Sequence, residues 1–487
     1  MGAPAARMTT AAAIRARLAH PVIDADGHTI EYLPAVRDAL AALAGRAAVE
    51  RFDLVLGFAE VARRLTPTQR RVLGLPRLPW WGLPARNTLD RATAMLPRLL
   101  HERLPELGID FAVLYPTYGL FALGVPEPEV RQAAARAFNE HAAEVFRGLG
   151  DRLTPAAVIP MHTPEEAVAA LDHAVGTLGL KAVVLAGHVF RPLPVDGAPP
   201  AARWVDTFGP DSPYDYDPVW ARCRTLGVAP TFHSSSMSWH GRASLTSYVA
   251  NHIGSFGAAG EATCRMLFLA GVPRRFPELR FAFLEGGVAW AAGLYSALLG
   301  HWEKRNPAHL PHYDPAALDR AQLADLIARY GAPDVTARVA RLAEGITCLS
   351  EPDEDPATRD EFAAAGVERA EDVRDVFDRF HFGCEADDPL VPLAFDTRLH
   401  PLGARLRAVF SSDIGHWDVP DMRAVLPEAW EAVERGALDA GDFRDFVFTN
   451  PAHLWASANA RFFEGTAVED AVRTLLPDDF RSPRAAG

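Results

Sequence analysis

A chain of 487 residues is too long for a small disulfide-held scaffold; it allows two or three ordinary domains, or one large α/β barrel carrying insertions. Apolar residues make up 49% and charged residues 23%, which supplies a real core and excludes wholesale disorder. With 62 acidic groups against 49 basic ones the formal charge is -13, which repels phosphate backbones and anionic lipid, so the expected partner is a small-molecule substrate, with no nucleic acid and no membrane.

In chain order, eight short apolar segments bounded by turn or cap residues read as strands: Val22 to His28, Phe111 to Thr117, Pro155 to Met161, Ala182 to Gly187, Val228 to Ser234, Phe281 to Gly286, Phe382 to Ala386 and Ala408 to Asp413. Helical patterns separate most of them. Thr163, followed by Pro164, Glu165 and Glu166, starts one helix, and Asp217-Pro218 opens another that stops at Gly227. Near-continuous apolar strands alternating with helices predict βαβ units, and eight of them predict a (β/α)8 TIM-like barrel. Two separate α/β domains would need a boundary, and no Pro/Gly/Ser-rich linker marks one.

About 80 residues separate the first two strands, and the stretch from Leu299 to His381 between strands six and seven is mostly charged helix. The reading is therefore one barrel over residues 21–465, with helical insertions at about 35–105 and 300–380, a loose leader over 1–20 and a tail over 466–487. Cys223, Cys264, Cys348 and Cys384 stand far apart without a CxxC pair, which fits free thiols in a reducing compartment. No stretch offers about 18 uninterrupted apolar residues, and the leader lacks a continuous apolar core, so a cytoplasmic protein is expected.

In such a barrel the chemistry sits at the C-terminal ends of the strands. Asp24, Asp26 and His28 occur there at period two, which predicts that all three face inward. The fifth strand ends in Thr231-Phe232-His233, the sixth in Phe283-Leu284-Glu285 and the eighth in Ser411-Ser412-Asp413. Each is an apolar run broken by one ligand-type residue. Asp26, His28, His233, Glu285 and Asp413 make a nitrogen and oxygen set suited to a divalent ion such as zinc, manganese or iron, and the absence of thiolates argues against a structural zinc. His188 on strand four and Glu385 with Asp387 on strand seven face the same mouth. Trp80-Trp81, Tyr115, Phe256, Trp239, Trp290 and Trp417 either line that mouth or fill core.

The chain resembles the amidohydrolase superfamily, in the amidohydrolase-2 branch that includes aminocarboxymuconate semialdehyde decarboxylase. The carriers are Val22 through His28, Leu107-Gly108-Ile109-Asp110, Phe232-His233-Ser234, Gly271-Val272 with Arg275-Phe276-Pro277-Glu278-Leu279, Phe283 through Gly287 with Trp290, and Ser412 through Asp418. The Asn251-His252 pair resembles the branch as well. The resemblance implies that Asp26 and His28 take the first-strand ligand positions and that His233 and Asp413 take those of strands five and eight. Asp413 would then also be the general base.

Two departures matter. Decarboxylases of this branch commonly place a catalytic histidine where this chain has Glu285. The only lysines, Lys181 and Lys304, lie where neither could bridge two ions, although Glu285 or Glu31 could. One or two ions per chain are therefore expected. Glu285 is a ligand or a second acid/base, and His416 could orient Asp413. The resemblance further suggests a homodimer. The favoured activity is hydrolysis of an amide, ester, lactone or thioester of a small organic molecule by metal-activated water. The alternative is non-oxidative decarboxylation of an aromatic or unsaturated acid.

Overall fold

The computed structural model describes residues 9–78, 82–199, 202–234, 239, 244–346 and 359–476. Trp80, Trp81 and Cys348 lie outside that set. Among the described residues ten strands form: β1 (Ile23–Thr29), β2 (Phe111–Pro116), β3 (Leu153–Ile159), β4 (Ala182–Leu185), β5 (Val189–Pro192), β6 (Arg203–Asp206), β7 (Pro230–Phe232), β8 (Phe281–Phe283), β9 (Phe380–Glu385) and β10 (Arg407–Ser411). Eight make one parallel sheet in the order β1-β2-β3-β4-β7-β8-β9-β10, the expected (β/α)8 barrel. Their side chains are almost wholly buried, which is why they read as continuous apolar runs rather than alternating ones.

The barrel closes where β10 returns to β1. Asp413 N donates to Asp26 O at 3.0 Å and His28 N to Ile414 O at 3.0 Å. Asp24 reinforces this seam, because its carboxylate accepts from Ser412 N (2.9 Å), Ser412 Oγ (2.5 Å) and Asp26 N (3.2 Å). A bulge between Asp24 and Gly27 shifts the register against β2. A Cβ on Gly27 would stand 2.7 Å from Asp24 Oδ2, so only glycine leaves the carboxylate room to reach Ser412. The plain period-two expectation for Asp24, Asp26 and His28 therefore fails. The extra residue breaks the alternation, and Asp24 spends its oxygens on the seam.

The connecting helices form where their caps stand. Thr163 accepts from Glu166 N ahead of Pro164–Leu171, and Asp217–Leu226 ends at Gly227 in the left-handed conformation. Among its described residues the long connection after β1 holds five helices, from Leu33–Ala44 to Pro97–Leu107. Its end is fastened to the mouth: Ile30 N donates to Ala94 O, and Asp90 accepts from the Arg103 guanidinium (2.7 Å) and Met422 N (2.8 Å). The connection between β8 and β9 is helical too, but Arg320–Tyr330 within it buries no residue. Near the N-terminus, the short helix Ala11–Arg15 buries Ile14 and places Arg15 2.7 Å from Asp110.

The antiparallel pair β5 and β6 is additional to the eight expected strands. Arg191 holds it by bonding Asp206 (2.9 Å) and Tyr216 Oη (2.9 Å). Among the described residues no helix is long and apolar enough to cross a membrane.

Asp24→Ala leaves three buried donors without their acceptor, at about 1 kcal/mol or more apiece. It is expected to lower unfolding free energy by about 3 kcal/mol or more in denaturant titration, while Ser412→Ala costs about 1 kcal/mol. Equal, small losses would remove Asp24 from the seam.

Candidate metal centre

Four strand ends bring their polar residues to one buried place. Among the described residues, two groups of donor atoms lie within 4.8 Å of one another: His28, Glu285, Asp413 and His416, and Asp26, His28 and His233. His28 belongs to both. Its Nε2 lies 3.2 Å from His233 Nε2, 3.4 Å from Asp413 Oδ1 and 3.6 Å from Asp26 Oδ1. His233 Nε2 lies 2.8 Å from Glu285 Oε2. All five expected ligands are thus gathered.

The backbone is bent to achieve this. Glu285 (φ 57°) and Asp413 (φ 48°) both occupy the left-handed region, where a side chain with a Cβ costs about 1–3 kcal/mol. The bends turn each carboxylate off the end of its strand toward His28 and His233. Beyond Asp413 the chain crosses over β1 through Gly415 (φ 98°), where a Cβ would meet His28 O at 3.2 Å. That crossing lays the His416 ring on His28, centroids 3.7 Å apart, with His416 Nδ1 2.6 Å from Asp413 Oδ1 and its Nε2 3.4 Å from Thr117 Oγ1.

Neither oxygen of Asp26 has a hydrogen-bond partner among the described residues, and the Asp413 carboxyl, also buried, is met by His416 Nδ1 and by a second acid, Asp418. Unpartnered buried carboxylates are costly unless a cation meets them. Burial pushes Asp26 well above the usual carboxyl range, with Glu285, Asp24 and Glu385 adding to the effect and His233 opposing it. Asp413 rises for the same first reason, helped by Glu285 and Asp418, and Glu285 rises through burial and Asp418. His28 and His416 are held well below the ordinary imidazole value by burial and by repulsion from neighbouring rings. Neutral imidazoles with lone pairs to give, beside buried carboxyls, form a set that fits a divalent ion.

The remaining expected residues separate. Glu31 does not join either group; its carboxylate accepts from Thr117 N, Tyr118 N (2.9 Å) and Gly119 N (2.8 Å), fixing the turn after β2. His188 packs edge-on against Phe190 and Trp239 (5.2 and 5.3 Å), beside the β5–β6 hairpin. His252 meets Trp417 (5.4 Å) and Tyr248 (5.2 Å) at the mouth. Glu385 ends β9, and its carboxyl is pushed up to about 9 by burial, then by Glu285, Asp418, Asp387 and Asp388. Tyr115 is core: it is fully buried, and its hydroxyl donates to Thr231 Oγ1. Asp418 was not anticipated as a site residue, yet it acts on Asp413, Glu285 and Glu385 alike. Its place five residues after Asp413 in the same loop is the signal that could have found it.

The Amidohydrolase family model (Amidohydro_2) matches residues 100–456, and the chain belongs to that family. Solved structures resembling it include an amidohydrolase from Mycobacterium avium subsp. paratuberculosis K-10, 18% identical over 75% of this chain and 76% of the other, TM-score 0.46. A 2,6-dihydroxybenzoate decarboxylase from Rhizobium is 15% identical over 90% and 98%, TM-score 0.46. A 4-oxalomesaconate hydratase from Rhodopseudomonas palustris is 13% identical over 93% and 99%, TM-score 0.42. No curated protein sequence matches the chain.

Burial raises the Glu31 carboxyl to about 7 against the three amides that favour its ionised form. A carboxyl raised on folding contributes stability that is present below its unfolded value and lost as pH rises through the folded one. The stability of the protein relative to Glu31→Gln is therefore expected to fall by about 3 kcal/mol between pH 4.5 and 8, read from denaturant midpoints. A difference independent of pH would contradict this.

Proposed function

We propose that this protein is a metal-dependent hydrolase that cleaves a carboxylic acid derivative, an amide, ester, lactone or thioester, of a small organic molecule. One zinc, manganese or iron ion, or two, would be held by Asp26, His28, His233, Glu285 and Asp413. When bound, such an ion acidifies water to about pKa 7 and polarises a carbonyl. The observation that carries the reading is Asp413, a buried carboxyl 3.4 Å from His28 Nε2 and 2.6 Å from His416 Nδ1, together with Asp26, whose two oxygens have no hydrogen-bond partner among the described residues.

On this reading Asp413 accepts the proton of an attacking water as the bond from oxygen to carbon forms. It returns that proton to the departing nitrogen, oxygen or sulfur as the old bond breaks, so no other co-reactant is needed. His416, resting on His28 and anchored near Thr117, keeps the Asp413 carboxylate turned inward. Glu285 stands where the decarboxylases that the sequence resembles commonly use a histidine. Its Oε2 lies 2.8 Å from His233 Nε2, close enough for the two side chains to share a cation.

Turnover in water enriched in oxygen-18 decides between the activities. The label is expected in the carboxylic acid product, whereas carbon dioxide release with an unlabelled product would establish decarboxylation instead. Asp413→Asn is expected to lower kcat by about 10²- to 10⁴-fold. Unchanged turnover in that variant would remove Asp413 as the base.

A further inference from the structure

The wall of the barrel is interrupted between β2 and β3. Ala112 N donates to Arg152 O, so at period two Leu114 and Pro116 also turn their backbones toward β3. Pro116 has no N–H to give, and the pairing stops at Leu114 with Pro155 although both strands run on. Asn139, on the helix Pro128–Val145, takes up what the ladder leaves. Its Nδ2 donates to Val158 O (3.0 Å) and its Oδ1 accepts from Val158 N (2.7 Å), which holds helix and strand at a fixed separation.

A cleft of about 470 Å³ lies in that gap, lined by Leu114, Pro116, Pro155 and Val158 from the strands and by Phe138 and Val145 from the helix. Tyr115 turns inward, its ring 6.2 Å from that of His28, so Leu114 and Pro116 face outward and the cleft lies on the other face of β2 from the candidate metal centre. Its size is that of a small-molecule site. Props that need no ligand keep it open: the two Asn139 bonds, the rigid rings of Pro116 and Pro155, and Phe138 pinned edge-on by Phe52 at 5.7 Å. A preformed site loses little order on binding.

The titratable groups of the lining are Glu31, Tyr32, Arg98 and His141. Glu31 is held by the amides of Thr117, Tyr118 and Gly119, and Arg98 turns to Glu102 at 3.6 Å. Burial holds His141 below the ordinary imidazole value. Tyr32, Leu96 and Val145 stay 59%, 54% and 36% exposed and mark the rim. Such a lining rewards the burial of apolar surface and has no free charge to answer an ion.

We propose that this cleft is a second binding site, separate from the metal centre, for an uncharged apolar molecule the size of a bicyclic aromatic. The inference does not depend on the hydrolase reading.

Naphthalene, 1-naphthoate and 1-naphthylmethylammonium share one ring system and differ in charge. Equilibrium dialysis of the protein as purified is expected to show one naphthalene per chain, bound at least about tenfold more tightly than either ion. Trp417→Ala, at the barrel mouth, should leave that binding within about twofold. Ala142→Phe, which fills the cleft, and Val145→Trp, which covers its rim, should each weaken naphthalene about tenfold or more. Val145 is exposed, so Val145→Trp carries the test if thermal melting shows that Ala142→Phe does not fold. No saturable naphthalene binding, an ion bound as tightly, or a folded Val145→Trp that binds as the parent does would overturn the proposal. So would a loss in Trp417→Ala equal to that in the cleft variants.

Discussion

Two imidazole nitrogens, of His28 and His233, face each other at 3.2 Å inside a ring of carboxyl groups, and the rest of the molecule is arranged around that approach. Left without a cation it is unfavourable on every side. Two carboxylates about 4 Å apart repel by about 4 kcal/mol at an effective dielectric of 20, and burial adds to the cost of each charge. The groups respond as expected, the acids toward protonation and the imidazoles toward neutrality. A divalent ion reverses the balance by meeting the lone pairs and charges together.

The barrel can keep such a place because its seam is cross-linked by groups other than the candidate ligands. Asp24 ties β1 to Ser412, which leaves Asp26 with its oxygens unengaged and Asp413 facing the nitrogens of His28 and His416. The left-handed bends at Glu285 and Asp413 are local strain held by neighbouring strand hydrogen bonds, among them Asp413 N to Asp26 O and Gly287 N to Gly383 O. The strained residues Glu285 and Asp413 are thus those that reach into the centre.

Much of this was legible in the sequence. Buried parallel strands have no polar face, so each appears as an apolar run, and a single His, Glu or Asp at the end of such a run stands out. That is why His233, Glu285 and Asp413 could be found and why the barrel could be counted. What escaped were features set by backbone geometry or by distant partners. The bulge at Asp24 to Gly27 redirects one acid of an apparent triplet, and no one-dimensional periodicity contains it. Glu31 resembles a ligand until three amides from the next strand's turn claim it. The β5–β6 hairpin is made of short strands, largely not buried, whose register depends on Arg191 and Asp206. Asp418 acquires its role only when the loop after β10 folds over the mouth.

The central claim is that these converging donors hold a cation, and elemental analysis of the protein purified without added metal tests it most directly. The account predicts close to one divalent transition ion per chain, or two, resistant to gel filtration. Less than a tenth of an ion per chain, with no uptake on incubation with zinc, manganese or ferrous iron, would contradict it.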